Sequence, residues 1–182
     1  MHTTLPIAQL TAAHAMAYKA LMLHAYEHAA DSFTSTPQER SLESDSWWRS
    51  RIDDPSGLTW VWGAFAGAEL VGTVAVEYAA KTKTRHKGLI VAMFVHENFR
   101  GQGLAHKLMR AAVEHGMARQ GLRVLQLEVT QGNTHAERLY QSLGFEPFGV
   151  EPMAVWTPDG YRSKVHMWLD LASMGARKNQ PS

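Results

Sequence analysis

The chain has no cysteine among its 182 residues. That excludes disulfides, thiolate metal sites and any covalent intermediate carried on a thiol. It has no long apolar run either. Nothing approaches the ~20 residues needed to cross a bilayer, so no membrane partner is expected. It lacks an excess of either charge: 18 Lys and Arg stand against 17 Asp and Glu, interspersed, for a net charge of +1. A nucleic-acid protein usually shows a basic patch or stripe, so no nucleic-acid partner is expected. Met1-His2-Thr3-Thr4 has no positive segment leading into an apolar one. No secretory signal is therefore expected, and the cytoplasm is the location by default. The length suits one domain that buries on the order of 70% of its unfolded surface.

What the chain does have is Arg100-Gly101-Gln102-Gly103-Leu104-Ala105. The hexad follows the wholly apolar residues 89–95, which read as a strand covered on both faces. It opens a segment with Leu104, Leu108 and Ala112 at i, i+4 spacing, which reads as an amphipathic helix. A strand, a glycine-bearing turn and a helix N-terminus in that order form an anion site. The first amides of a helix have no intrahelical acceptor. The helix dipole adds roughly half a positive charge there. Gly101 and Gly103 lack the Cβ atoms that would hold a phosphate off the main chain. A nucleotide P-loop, G-x-x-x-x-G-K-S/T, is absent. The dinucleotide fingerprint fails because His106 stands where Gly or Ala is required. The pattern Q/R-x-x-G-x-G/A fits at every specified position, although a short glycine pattern also describes an ordinary strand-to-helix turn.

Some thirty residues on, Leu125-Gln126-Leu127-Glu128-Val129-Thr130 precedes Asn133, Ala136, Leu139-Tyr140 and Gly144-Phe145. The two strings together resemble the signatures of the GNAT N-acetyltransferase superfamily. The first is similar to its acetyl-CoA loop. The second is similar to its strand followed by N-x-x-A-x-x-L-Y-x-x-x-G-F. The resemblance is specific over residues 89–145, looser in the C-terminal strand region, and one of pattern only in the N-terminal third. It implies an α/β (α+β) chain with the GNAT fold: a central, mixed, mostly antiparallel sheet of six to seven strands flanked by helices. That single domain is expected over residues 1–175, with 176–182 a polar tail.

The rest of the chain reads compatibly. Residues 4–10 suggest a first strand. Thr11 is placed to cap a helix over 12–30, with Met16, Leu21, Leu23 and Ala25 on its apolar side. A short helix is expected near 42–52, and Asp54-Pro55-Ser56-Gly57 is a turn signal. Residues 58–65 and 70–78 read as a hairpin, and 81–87 as a basic turn. Gly116 and Gly121 are expected to end the helix after the loop. Thr134 and Glu137 offer a capping box to the next one, with Gly144 as its C′ residue. Two strands, 148–156 and 161–171, finish the pattern.

Amide formation from a thioester requires a held donor, a deprotonated amine and a stabilised leaving thiolate. An alkylammonium has a pKa near ~10, so a base is useful at neutral pH. Gln126, Glu128 and Thr130 share one strand face, and a carboxylate on a central strand suggests that this face borders a cleft. A surface or salt-bridged glutamate is the competing reading. The resemblance implies that Glu128, twelve residues before Tyr140, is the general base. It implies that Tyr140 is the general acid at the CoA sulfur, where an isolated tyrosine would read as core. It also implies that Asn133, with Ala136 and Tyr140, contacts the cofactor, although Asn133 also suits a helix N-cap. By the same resemblance pantetheine runs along Phe94 and Val95, whose region supplies the amide that polarises the thioester. The amides of Arg100, Gly101, Gln102, Gly103, Leu104 and Ala105 hold the pyrophosphate. Acetyl-CoA would sit in a V-shaped opening between strands 89–95 and 123–130. The expected acceptor is a small-molecule amine or a peptide N-terminus, reached by direct transfer. Homodimer formation is left open.

The family often has proline two residues after the valine, where this chain has Glu97 in Val95-His96-Glu97-Asn98. Glu97 either weakens donor binding or turns toward the acceptor, which makes it a second candidate base. His24-Ala25-Tyr26-Glu27-His28 spells H-x-x-E-H, an inverted zinc-peptidase motif. On a helix His24 and His28 share a face and could ligate zinc. No third ligand is identifiable, so no metal is expected. A non-catalytic acyl-CoA sensor and a zinc hydrolase at His24 and His28 remain the rival functions.

Overall fold

A computed structural model describes residues 5–178. Its seven strands are β1 (Ile7–Gln9), β2 (Thr59–Ala66), β3 (Glu69–Tyr78), β4 (Lys87–Val95), β5 (Val124–Thr130), β6 (Glu146–Thr157) and β7 (Gly160–Asp170). Its helices are α1 (Ala15–His28), α2 (Pro37–Ser41), α3 (Asp45–Ser50), α4 (Leu104–Ala118), α5 (Thr134–Ser142) and α6 (Leu171–Lys178). In pairing order the strands run β1-β2-β3-β4-β5-β7-β6. The sheet is mixed: β4 and β5 pair in parallel, whereas β1–β2, β2–β3, β5–β7 and β6–β7 are antiparallel. The expected sheet and its strands are thus present. No helix among the described residues is long and apolar enough to cross a membrane.

The chain forms two compact units. The first comprises the described residues up to Glu77 together with Val91–Ala112. Its core gathers Leu10, Tyr18, Leu21, Met22, Trp48, Ile52, Val61, Leu70 and Phe94. Helix α1 buries Ala15, Tyr18, Leu21, Met22 and Ala25, the i, i+3, i+4 stripe of an amphipathic helix. Met16, assigned to that stripe from sequence, is 56% exposed. At 3.6 residues per turn Met16 lies on the opposite side of the helix from Leu21 and Ala25, and Tyr18 and Met22 fill the buried face instead. Thr11 does cap the 3₁₀ turn at Ala12–His14 that precedes the helix.

The second unit comprises Tyr78–Ile90 and the residues from Val113 on. Leu125, Leu127 and Val129 of β5 are buried, as are Met167 and Leu169 of β7. Gly116 does not end α4 but lies within it. A Cβ there would sit 3.1 Å from Leu125 and 3.2 Å from Leu122, so this glycine permits a close approach to the sheet. Gly121, at φ +80°, follows the helix end as expected. The expected tail begins inside α6, which runs to Lys178; residues 179–182 lie outside the described residues.

Candidate active site

In the first unit, β4 ends at buried Phe94 and Val95. Ala92, three residues earlier, has φ +52°, a left-handed conformation rare for a residue with a Cβ and absent from the sequence reading. The parallel ladder of β4 with β5 comprises Lys87, Gly88 and Leu89. Arg100 turns back on the strand it follows. Its Nε donates to the Val95 carbonyl at 3.0 Å, and its guanidinium lies 5.8 Å from the Phe94 ring centre. Its side chain therefore braces the strand end, and the loop is presented as main chain.

Gly101 and Gly103 both adopt left-handed φ, +75° and +73°, around Gln102, which does not. Such alternation turns successive N–H groups into a concave anion nest. A Cβ on either glycine would meet no protein atom within 4 Å. Glycine is needed here by the backbone conformation and by whatever occupies the space outside, not by crowding within the protein. The first helical bond of α4 runs from Lys107 N–H to the Gly103 carbonyl. The amides of Leu104 and Ala105 precede it and are the orphan donors of a helix start.

Glu97 lies in a 3₁₀ turn, Glu97–Phe99, between β4 and this loop. It turns to helix α1, where both carboxylate oxygens stand 3.0 Å from His24 Nε2. The His24 ring stacks on His28 at 3.9 Å and on His96 at 4.5 Å. The hydrogen bond from His24, with a main-chain bond and the charges of His24 and His96, holds the Glu97 carboxyl down at about 2 rather than 4.5. The associated stability is present above the ordinary carboxylate pKa and is lost as pH falls through about 2. Sequence spacing could not reveal this cluster, because 73 residues separate His24 from Glu97.

In the second unit, Glu128 faces His166 across the β5–β7 ladder, and Thr130 faces Lys164. Paired residues of an antiparallel ladder project from the same sheet face. Lys164 Nζ lies 3.4 Å from the Glu128 carboxylate, and His166 Nδ1 lies 3.7 Å from it. His166 Nε2 also meets Glu151 at 3.2 Å. Lys164 is only 6% exposed, whereas the Glu128 side chain is 38% exposed. Glu128 is thus both accessible and ion-paired. Lys164 and His166 escaped sequence analysis. Their alternation along β7 was visible, but their register against β5 was not.

Helix α5 positions the remaining candidates. Asn133, not Thr134, is its N-cap, and the Asn133 side chain accepts the Ala136 N–H at 3.2 Å. Glu137 reaches back to the Gly132 N–H at 3.3 Å, so the expected box is displaced by one residue. Gly144, at φ +90°, ends the helix as expected. The Gly144 N–H reaches the Gln141 carbonyl at 2.9 Å, and the Phe145 N–H reaches the Tyr140 carbonyl at 3.0 Å. These two bonds make a Schellman motif. Ala136 is half-buried in the first turn. Tyr140 is 8% exposed and its ring meets Phe145 at 6.2 Å. Burial pushes its phenol up to about 12.

Burial also pushes Tyr78 to about 12, and raises Tyr18 strongly. An unfolded phenol ionises near ~10. A raised folded pKa contributes stability that is intact below pH ~10 and declines as pH rises toward about 12. Tyr140 alone is expected to cost on the order of 2–3 kcal/mol across that interval. Denaturant midpoints measured from pH 8 to 11 should fall steeply above ~10; a flat curve would contradict the burial of these phenols.

Residues 22–145, more than half of the chain, match the Acetyltransferase (GNAT) family. Among curated relatives, the [Ribosomal protein bS18]-alanine N-acetyltransferase of Haemophilus ducreyi is 42% identical over 67 residues, which are 37% of this chain and 46% of that protein. The match spans about half the length of that relative. Among solved structures, an acetyltransferase of GNAT family from Streptococcus pneumoniae superposes with TM-score 0.82 at 21% identity, over 92% of this chain and 99% of that one. The protein yncA of Salmonella typhimurium, solved with its cofactor acetyl-CoA, superposes with TM-score 0.76 at 20% identity, over 93% of this chain and 95% of that one. With the glycine nest ahead of α4 and the capped α5 tyrosine both inside the matched region, the chain belongs to the acetyltransferase (GNAT) family.

Proposed function

We propose that this protein moves the acetyl group of acetyl-CoA directly onto a primary amine. The observation that carries the reading is the left-handed Gly101 and Gly103 pair at the start of α4, which makes a main-chain cradle for a pyrophosphate. In this reading the amides from Arg100 to Ala105 hold the pyrophosphate, and pantetheine runs along Phe94 and Val95. By the family pattern alone, Asn133 and Ala136, at the start of α5, are assigned to cofactor binding as well.

The amine nitrogen attacks the thioester carbonyl carbon, its proton passes to Glu128, and the C–S bond breaks. Tyr140 then faces the departing sulfur. A thiol ionises near ~8.5, whereas the Tyr140 phenol holds its proton to about 12. Its role is that of the general acid: it stays protonated throughout the working range and donates a proton or a hydrogen bond to the leaving sulfur. That hydroxyl has no protein hydrogen-bond partner among the described residues, which leaves it able to serve the sulfur.

The acceptor class is a small-molecule amine or a peptide N-terminus. Two features support it: the carboxylates of Glu128 and Glu151 on one sheet face suit an incoming cation, and one relative acts on a ribosomal-protein alanine. The test is calorimetry with acetyl-CoA followed by an amine panel read by thiol release. Micromolar binding and turnover of at least one amine are expected. Tyr140→Phe should lower kcat roughly ten- to hundredfold, the worth of one hydrogen bond to a charged group. Binding without turnover of any amine would favour a non-catalytic acyl-CoA sensor. No binding by folded protein would refute both.

A further inference from the structure

We propose that His24, His28 and Glu97 form a zinc-binding site. It lies within the first unit. One ligand atom from each residue falls within 4.8 Å of the other two. Three ligands around a tetrahedral ion lie about 3.3 Å apart, given metal–ligand bonds of roughly 2.0–2.1 Å. His24 Nε2 and the Glu97 oxygens already approach to 3.0 Å. The remaining contraction falls on His28 and Glu97, whose side chains are exposed.

The arrangement around the ligands supports the assignment. His28 Nδ1 donates to the His24 main-chain carbonyl at 3.0 Å. That bond places the ring proton on Nδ1 and leaves the Nε2 lone pair for a metal, as an orienting bond does in established zinc sites. His24 and His28 are one helical turn apart on α1, so their rings rise from one face. His96 does not join as a ligand through Nδ1, which accepts the Asn98 N–H at 3.3 Å; its ring packs flat against His24 and limits rotation of that ligand.

Two imidazoles and one carboxylate, with a fourth position open to water, form a set suited to zinc rather than to magnesium or calcium, which prefer all-oxygen shells. Sequence pattern supplied the two histidines but no third ligand, and hence the expectation of no metal. The fold supplies that ligand from the turn before the glycine loop. A bound ion would strap α1 to that turn. No reaction is assigned to it.

The test is zinc titration of the purified, chelator-treated full chain by calorimetry, with cobalt substitution read by visible absorption. One equivalent of zinc, and cobalt bands of tetrahedral intensity, are expected. His28→Ala should weaken zinc at least about a hundredfold, since even outer-shell partners are worth 10- to 100-fold. Glu97→Gln keeps an acceptor for His24 and so preserves the local hydrogen bond, but it removes the charge. It should weaken zinc at least about tenfold. His135→Ala, at an exposed position of α5, should change nothing. Absence of saturable binding, or binding that survives His28→Ala in protein shown to be folded, overturns the proposal.

Discussion

Replacing Glu128 with glutamine is expected to lower kcat by about 10²–10⁴ while leaving acetyl-CoA affinity nearly unchanged, the signature of a lost general base. The structure adds a complication that a simple activity assay would miss. Lys164 is buried, and the Glu128 carboxylate is 3.4 Å from its ammonium. Glutamine leaves that ammonium without its counter-charge. Breaking a buried pair is costly, but the Glu128 side chain is 38% exposed and water will replace part of the contact. A loss of about 1–3 kcal/mol is expected, toward the lower end. Adding Lys164→Met removes the stranded charge, so the double variant should regain most of the stability and none of the rate. A stability-based loss of activity would instead recover with the melting temperature. Full activity in folded Glu128→Gln protein would move the base elsewhere, and Glu97 would be the next carboxylate to test.

The second large effect is expected at Gly103. Its φ of +73° costs a residue with a Cβ roughly 1–2 kcal/mol. A Cβ there nevertheless meets no protein atom within 4 Å, so Gly103→Glu should fold. Its carboxylate would project into the space where the pyrophosphate is proposed to lie. Like-charge repulsion with the doubly charged pyrophosphate should weaken acetyl-CoA at least about a hundredfold, or 2.7 kcal/mol. Gly103→Asn separates the causes, because asparagine tolerates left-handed φ and carries no charge. Calorimetry should show Asn retaining much of the affinity that Glu abolishes. Equal loss in both variants would mean that the backbone conformation alone matters; retention in both would remove the phosphate from this loop.

How much was legible in the sequence followed from how local each determinant is. The loop, α5 and its glycine stop are set by residues a few positions apart, so composition and spacing were enough. The same holds for the hairpin of β2 and β3, which a short turn joins. Ala92 was not legible, because nothing in an alanine announces a left-handed φ; tertiary structure imposes it. Lys164 and His166 depend on the register of β7 against β5, and that register is fixed by pairing over a long sequence separation. The β6–β7 hairpin also carries register irregularities between Pro147 and Gly149 and between Glu151 and Val155. Alternation therefore could not say which of its residues would face Glu128. The turn of Glu97 toward His24 is a long-range contact of the same kind.

The two ends of α5 carry a consequence for Tyr140. Asn133 fixes where the helix begins, Gly144 fixes where it stops, and the Phe145 amide closes on the carbonyl of Tyr140 itself. The helix is short, so these fasteners act like the two stops of a gauge. They set the rotational phase of every side chain between them and forbid a slip of even one residue. The string from asparagine to phenylalanine thus works as a dimension as well as a set of contacts. Insertions or deletions inside it would swing the phenol to another face of the helix while leaving the hydrophobic content of the chain intact.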